Sequence, residues 1–134
     1  MKKNFLAAAI TIVVLAAFVI PGSGLAQQPG IKRTELQRHD LSIPGHETIQ
    51  VRVDFDPGAM TPRLSHPGEE VIYVLQGWLE YQVGHDPPLR LRTGDVLFIP
   101  AGTVHTAKNV GEGKAAELTT YVVKKGKRLI VIVR

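Results

Sequence analysis

The sequence predicts an all-β sandwich or barrel preceded by an export signal. Three observations carry this reading. Residues 48–55 alternate strictly between apolar and polar side chains. Short apolar runs recur between turn signals at spacings of about 8–12 residues. After residue 30, no segment keeps a helical period.

The N-terminal segment is set apart first. Lys2 and Lys3 give a short basic start, and Phe5 to Ile20 is apolar except for Thr11. Gly24 and Ala26 then stand at the −3 and −1 positions of a cleavage site. This is the pattern of a secretory signal peptide, with cleavage expected after Ala26. The alternative is an uncleaved membrane anchor, for which this run of sixteen residues falls short of the roughly 20 that a span needs. The protein is accordingly expected in the periplasm or outside the cell, meeting the membrane only through its signal.

The strands follow in order. Gln27 to Gly30 reads as a flexible tail. Ile49, Val51, Val53 and Phe55 alternate with Thr48, Gln50, Arg52 and Asp54, which describes a half-buried strand ended by Asp56-Pro57-Gly58. Val71 to Leu75 is continuously apolar, as for a strand covered on both faces. Gly77 breaks it, and Leu79, Tyr81 and Val83 resume the alternation. His85 to Pro88 is a loop. Leu89 and Leu91 alternate with Arg90 and Arg92, and Thr93-Gly94-Asp95 turns the chain. Val96 to Ile99, Val104 to Val110, Glu117 to Val123 and Leu129 to Val133 complete the set. Gly58, Gly77, Gly94 and Gly102 read as turn residues with unusual backbone angles.

Charge and composition exclude several classes. The whole chain carries +4, and without Lys2 and Lys3 the mature residues 27–134 carry +2. The one tight basic cluster, Lys124-Lys125-Gly126-Lys127-Arg128, lies between apolar runs and reads as a solvated turn rather than a nucleic-acid surface. With no cysteine, neither a disulfide framework nor a thiolate metal site is possible.

Two places carry chemistry. His66 and Glu70 flank Pro67-Gly68-Glu69, so a turn rather than a helix must bring them together. Positions 64, 66, 70, 72 and 74 share parity, which turns Glu70 to the same side as Ile72 and Val74. A carboxylate there is costly unless paired or metal-bound. Glu69, of the other parity, is the more exposed partner. The second place is "TGDVLFIPAGTVHTAKNV", where His105 follows a Pro-x-Gly turn and opens a strand.

These residues resemble the two motifs of a small single-domain bacterial cupin. The first motif is Gly, five residues, His-x-His, three or four residues, Glu, six residues, Gly. Gly58, His66, Glu70 and Gly77 fit it, with Leu64 where the first histidine belongs. The second motif is matched at all five positions by Gly94, Pro100, Gly102, His105 and Asn109. The resemblance covers about residues 47–124 and implies a jelly-roll β-barrel with a metal near one mouth. With the N-terminal pattern, it divides the chain into a signal peptide (1–26), a tail with the first strand (27–46) and the cupin domain (47–134). Carried over by position, the metal ligands are His66, Glu70 and His105. Two imidazoles and a carboxylate suffice for non-haem iron or catalytic zinc. Leu64 cannot ligate, and it adds apolar bulk beside the site. The cofactor implied is a divalent ion, with zinc, manganese and iron as candidates.

Other side chains have plainer readings. Tyr73 and Tyr81 could act as acid or base but also fit ordinary packed strand positions. Trp78 reads as a surface or interface aromatic. Arg52, Arg63, Arg90 and Arg92 could meet an anionic substrate, but Arg63, Arg90 and Arg92 have outward parity. His39, His46 and His85 fall in loop-like segments, and one of them could approach the site in place of Leu64. Asn109 shares the parity of His105 and either bonds within the pocket or braces the strand. Three functions follow: a metal-binding cupin of unassigned reaction; a metal-dependent dioxygenase, lyase or isomerase of a small organic molecule; and a ligand-binding or self-associating module. A homodimer and a small-molecule ligand are the expected partners.

Overall fold

A computed structural model describes residues 28–134, so the signal-peptide reading lies outside the described residues. Ten strands form two antiparallel sheets. They are β1 (Ile31–Asp40), β2 (His46–Phe55), β3 (Leu64–Ser65), β4 (Glu69–Gln76) and β5 (Trp78–Val83), then β6 (Leu89–Arg92), β7 (Val96–Ile99), β8 (His105–Asn109), β9 (Ala115–Lys124) and β10 (Val131–Ile132). One sheet runs β1-β2-β9-β4-β7 and the other β10-β3-β8-β5-β6.

The core lies between the sheets because the alternating strands turn one face inward. On β2, Ile49, Val51, Val53 and Phe55 are all buried. They meet Ile72 and Val74 of β4, Tyr121 and Val123 of β9, and Leu79 and Tyr81 of β5 in one cluster. Burying an aliphatic side chain of this kind contributes about 1.5–3 kcal/mol.

Four details differ from the sequence reading. Residues 28–30 are a turn rather than a loose tail: Ile31 N–H donates to Gln28 O and Asp56 N–H to Gly30 O. His39 and His46 lie on β1 and β2 rather than in loops. The strand expected over Leu129 to Val133 is reduced to the two-residue β10, because its partner β3 is equally short. The fourth concerns β4, which is covered on one face only. Ile72 and Val74 are fully buried, but Val71 and Tyr73 are 47% and 46% exposed. A run of apolar residues does not reveal that its outer side lacks a covering layer.

Asn109 braces the chain rather than lining the pocket. It is buried, and its Nδ2 donates to Phe55 O, Asp56 O and Gly113 O while its Oδ1 accepts from Gly111 N. One side chain thus ties the end of β2 to the loop between β8 and β9. Asn109→Ala leaves buried backbone groups unsatisfied and is expected to cost about 1–3 kcal/mol. Urea unfolding should show a lowered midpoint with an unchanged slope.

Candidate metal centre

His66, Glu70 and His105 come from three parts of the fold. His66 sits in the turn between β3 and β4, Glu70 on β4, and His105 at the start of β8. Glu70 therefore belongs to one sheet and His105 to the other. The shared parity holds, since Leu64, His66, Glu70, Ile72 and Val74 are all buried, whereas Glu69 is exposed.

Local backbone requirements account for the motif spacing. A Cβ at Gly68 would lie 1.9 Å from Val122 O, so only glycine lets this turn press against β9. Gly102, at φ 73°, donates its N–H to His66 O at 2.8 Å. That bond ties the turn before His105 to His66, joining the two motifs directly.

The hydrogen bonds fix the chemistry of the three groups. His66 Nδ1 lies 2.7 Å from Leu129 O, and His105 Nδ1 lies 2.9 Å from Thr103 O. A carbonyl oxygen only accepts, so each Nδ1 carries a proton, and a ring in its neutral form presents a bare Nε2. Those two Nε2 atoms stand 3.4 and 3.2 Å from Glu70 Oε2. Glu70 Oε1 accepts from the Thr119 hydroxyl at 2.8 Å, and Oε2 is buried with no donor. Burial, the largest influence, pushes Glu70 up, but the facing imidazoles and Thr119 outweigh it and hold the carboxyl below its ordinary value. Burial also pushes His66 down, against the pull of Glu70, and so resists its protonation.

Three lone-pair donors therefore converge on one point. The potential ligand atoms of the three residues all lie within 4.8 Å of one another. Metal–ligand bonds of about 2.1 Å set tetrahedral neighbours roughly 3.4 Å apart, which the 3.2 and 3.4 Å separations fit. The cluster fits a divalent metal ion.

A cavity of about 20 Å³ adjoins the cluster, bordered by Leu64, Tyr81, Glu117 and Tyr121. That is room for roughly one water-sized ligand. Leu64 pairs with His105 across the strands and is buried, so it narrows the space as its sequence position implies. A larger groove of about 390 Å³ lies on the outer side of β5 and β8; it borders His105 but not His66 or Glu70.

The remaining candidates sort cleanly. Tyr81 is buried beside the site, its ring centroid 6.4 Å from that of His105, whereas Tyr73 is at the surface and packs in no core. His39 and His85 are exposed, and His46 bonds Pro44 O, so none of the three takes the place of Leu64. Arg63, Arg90 and Arg92 face outward, and Arg52 pairs with Asp54.

The sequence reading missed Glu117, Thr119 and Tyr121. All three are buried on β9, with the Tyr121 ring centroid 4.6 Å from that of His66. Tyr81 Oη donates to Glu117 Oε2 at 2.5 Å. Burial, then the charge of Glu70, pushes Glu117 up to about 8. Parity with Val123 was the signal that could have found these residues. It was obscured because Ala116, Leu118 and Val122 make the opposite face equally apolar.

Comparison with known proteins agrees with this architecture. The Cupin domain model matches residues 51–124, and the chain belongs to the cupin family. It is 37% identical over 89 residues to germin-like protein subfamily 2 member 2 of Arabidopsis thaliana, covering 59% of this chain and 40% of that protein. Nectarin-1 of Nicotiana langsdorffii x Nicotiana sanderae is 33% identical over 89 residues, with 59% and 38% covered. The chain thus spans about two fifths of these relatives. Among solved structures, an oxalate oxidase superposes with a TM-score of 0.64 at 26% identity, covering 81% of this chain and 57% of that one. A cupin-like protein of Thermotoga maritima gives 0.60 at 27%, covering 68% and 67%.

The raised Glu117 makes stability depend on pH. A carboxyl whose folded value exceeds its unfolded one binds more protons when folded, so stability falls as pH rises. The loss should begin near the ordinary value of 4.5 and be complete above about 8. In chelator-treated protein, Glu117→Gln should flatten the fall in melting temperature across that window. An unchanged slope would place the titration elsewhere.

Proposed function

We propose that this protein is an exported cupin that holds one divalent metal ion through His66 Nε2, His105 Nε2 and Glu70 Oε2. The observation that carries this is the convergence of His66 Nε2, His105 Nε2 and Glu70 Oε2, each on a residue whose other polar atom is already hydrogen-bonded. A bound ion would supply Lewis acidity and positions open to a small ligand. Nitrogen and oxygen donors without a thiolate suit zinc, manganese or iron. Export rests on the N-terminal pattern of Lys2, Lys3 and the apolar run ending at Ile20. Among the described residues, no helix is long and apolar enough to cross a membrane.

The likeness to an oxalate oxidase and, at 26% identity and a TM-score of 0.58, to a DMSP lyase of Ruegeria pomeroyi supports metal-dependent chemistry as an alternative. The size of the cavity weighs against transferring either substrate. About 20 Å³ beside the cluster admits a water-sized molecule, and a dicarboxylate would require Leu64 or Tyr121 to move. Binding of metal with a small ligand, its reaction unassigned, is the reading we adopt.

A homodimer is favoured by a separate observation. Val71 and Tyr73 of β4 pair with Phe98 and Val96 of the edge strand β7. All four are exposed, Val96 at 67% and Phe98 at 57%, forming an apolar patch with an open strand edge beside it.

Protein purified from its exported location should contain about one equivalent of divalent metal by elemental analysis. His66→Ala and His105→Ala should each abolish it, and Leu64→His should raise affinity by restoring a fourth ligand. Metal content unchanged by either alanine substitution contradicts the assignment. For the dimer, Phe98→Glu should shift the sedimentation coefficient to that of a monomer without loss of metal.

A further inference from the structure

We infer that Glu117 is the counter-charge of the metal site: a neutral acid in the cation-free protein and a carboxylate once a divalent cation sits among His66, Glu70 and His105. The inference rests on the metal reading above and assigns a role to a residue outside the three ligands.

Two neutral imidazoles and one carboxylate against a divalent cation leave a net charge of +1. His66, Glu70 and His105 are 4%, 3% and 5% exposed, so that charge would lie away from water. An uncompensated buried charge is costly. Glu117, itself 3% exposed, borders the same cavity and supplies the one further carboxyl that does so. Arg33 lines the same cavity and adds a further positive charge, so ionisation of Glu117 offsets one unit of the excess rather than all of it.

Burial of this acid has no packing rationale. Glu117 occupies an inward position of β9 in register with Val53 and Val74, where an aliphatic side chain would avoid desolvation. Its partner suits both protonation states. The Tyr81 hydroxyl, 2.5 Å from Oε2, can donate to a carboxylate and accept from an acid. The groups facing Glu117 come from every side. They are Arg33 on β1, Glu70 on β4, Tyr81 on β5, His105 on β8 and Tyr121 on β9, with His66 in the turn before β4. Among them Glu70 opposes ionisation of Glu117 and Arg33 favours it. A divalent cation placed next to Glu70 reverses the sign of the local field and favours the carboxylate.

The exchange balances as follows. The acid form of Glu117 loses one proton to solvent, its O–H bond breaking, as one divalent cation is taken up. No oxidation or reduction is involved. The carboxylate left behind keeps its hydrogen bond from Tyr81, and removing the cation returns the proton.

The test is calorimetric titration of metal-free full-length protein with Zn²⁺, and separately Mn²⁺, at pH 7. Two buffers of different ionisation enthalpy count the protons released. The wild type should release about one more proton per metal than Glu117→Gln. Its apparent affinity should also rise with pH more steeply than the variant's, by about tenfold per pH unit below the Glu117 transition. Tyr81→Phe removes a bond that favours the carboxylate, so proton release should extend to higher pH. Infrared spectroscopy of the wild type needs no variant: a protonated-carboxyl stretching band should be present without metal and lost on adding Zn²⁺. Metal uptake with equal proton counts in wild type and Glu117→Gln, or a carboxyl band unmoved by Zn²⁺, overturns this inference alone. Failure of the wild type to bind either metal overturns the metal reading, and this inference with it.

Discussion

Two backbone carbonyls, Leu129 O and Thr103 O, set the chemistry of this barrel. By accepting from Nδ1 they hold His66 and His105 in one tautomer and leave both Nε2 lone pairs facing Glu70 Oε2. With both rings neutral, the three acceptors repel one another. The sheets on either side hold the arrangement: Glu70 is anchored between β7 and β9, and His105 between β3 and β5. The fold holds the three ligand atoms together, and a cation among them would offset their mutual repulsion.

The rest of the cavity follows from that constraint. Its walls combine an aliphatic group, Leu64, with a hydrogen-bonded phenol and carboxyl, Tyr81 and Glu117, both deeply buried. Leu64 removes a ligand and, with it, the space a larger substrate would use. The germin-like relatives extend well beyond the region matched here, and the chain covers 40% of the first.

Much of this was legible in the sequence, and the reasons are physical. The ligand register could be read because Gly68 has no room for a side chain and Gly102 takes a positive φ that favours glycine, which fixes the spacing of His66, Glu70 and His105. Strand β2 could be read because one of its faces meets the core and the other meets water. β1 left no such trace in its side-chain pattern. Nine of its ten residues are at least partly exposed, and it is held by its ladder with β2 and by the ion pairs of Arg38 with Glu35 and Glu47. Glu117 escaped for the opposite reason, since the outer face of β9 carries Ala116, Leu118 and Val122 and parity alone does not tell which side is inward. The exposed side of β4 escaped because Val71 and Tyr73 look like core residues until the missing layer is seen.

The central claim is that the three convergent acceptors share one cation. The most direct measurement is anomalous diffraction from crystals of the protein loaded with manganese or zinc. One peak is expected about 2.1 Å from His66 Nε2, His105 Nε2 and Glu70 Oε2 alike. No peak there, or a peak only at surface carboxylates, would contradict the account.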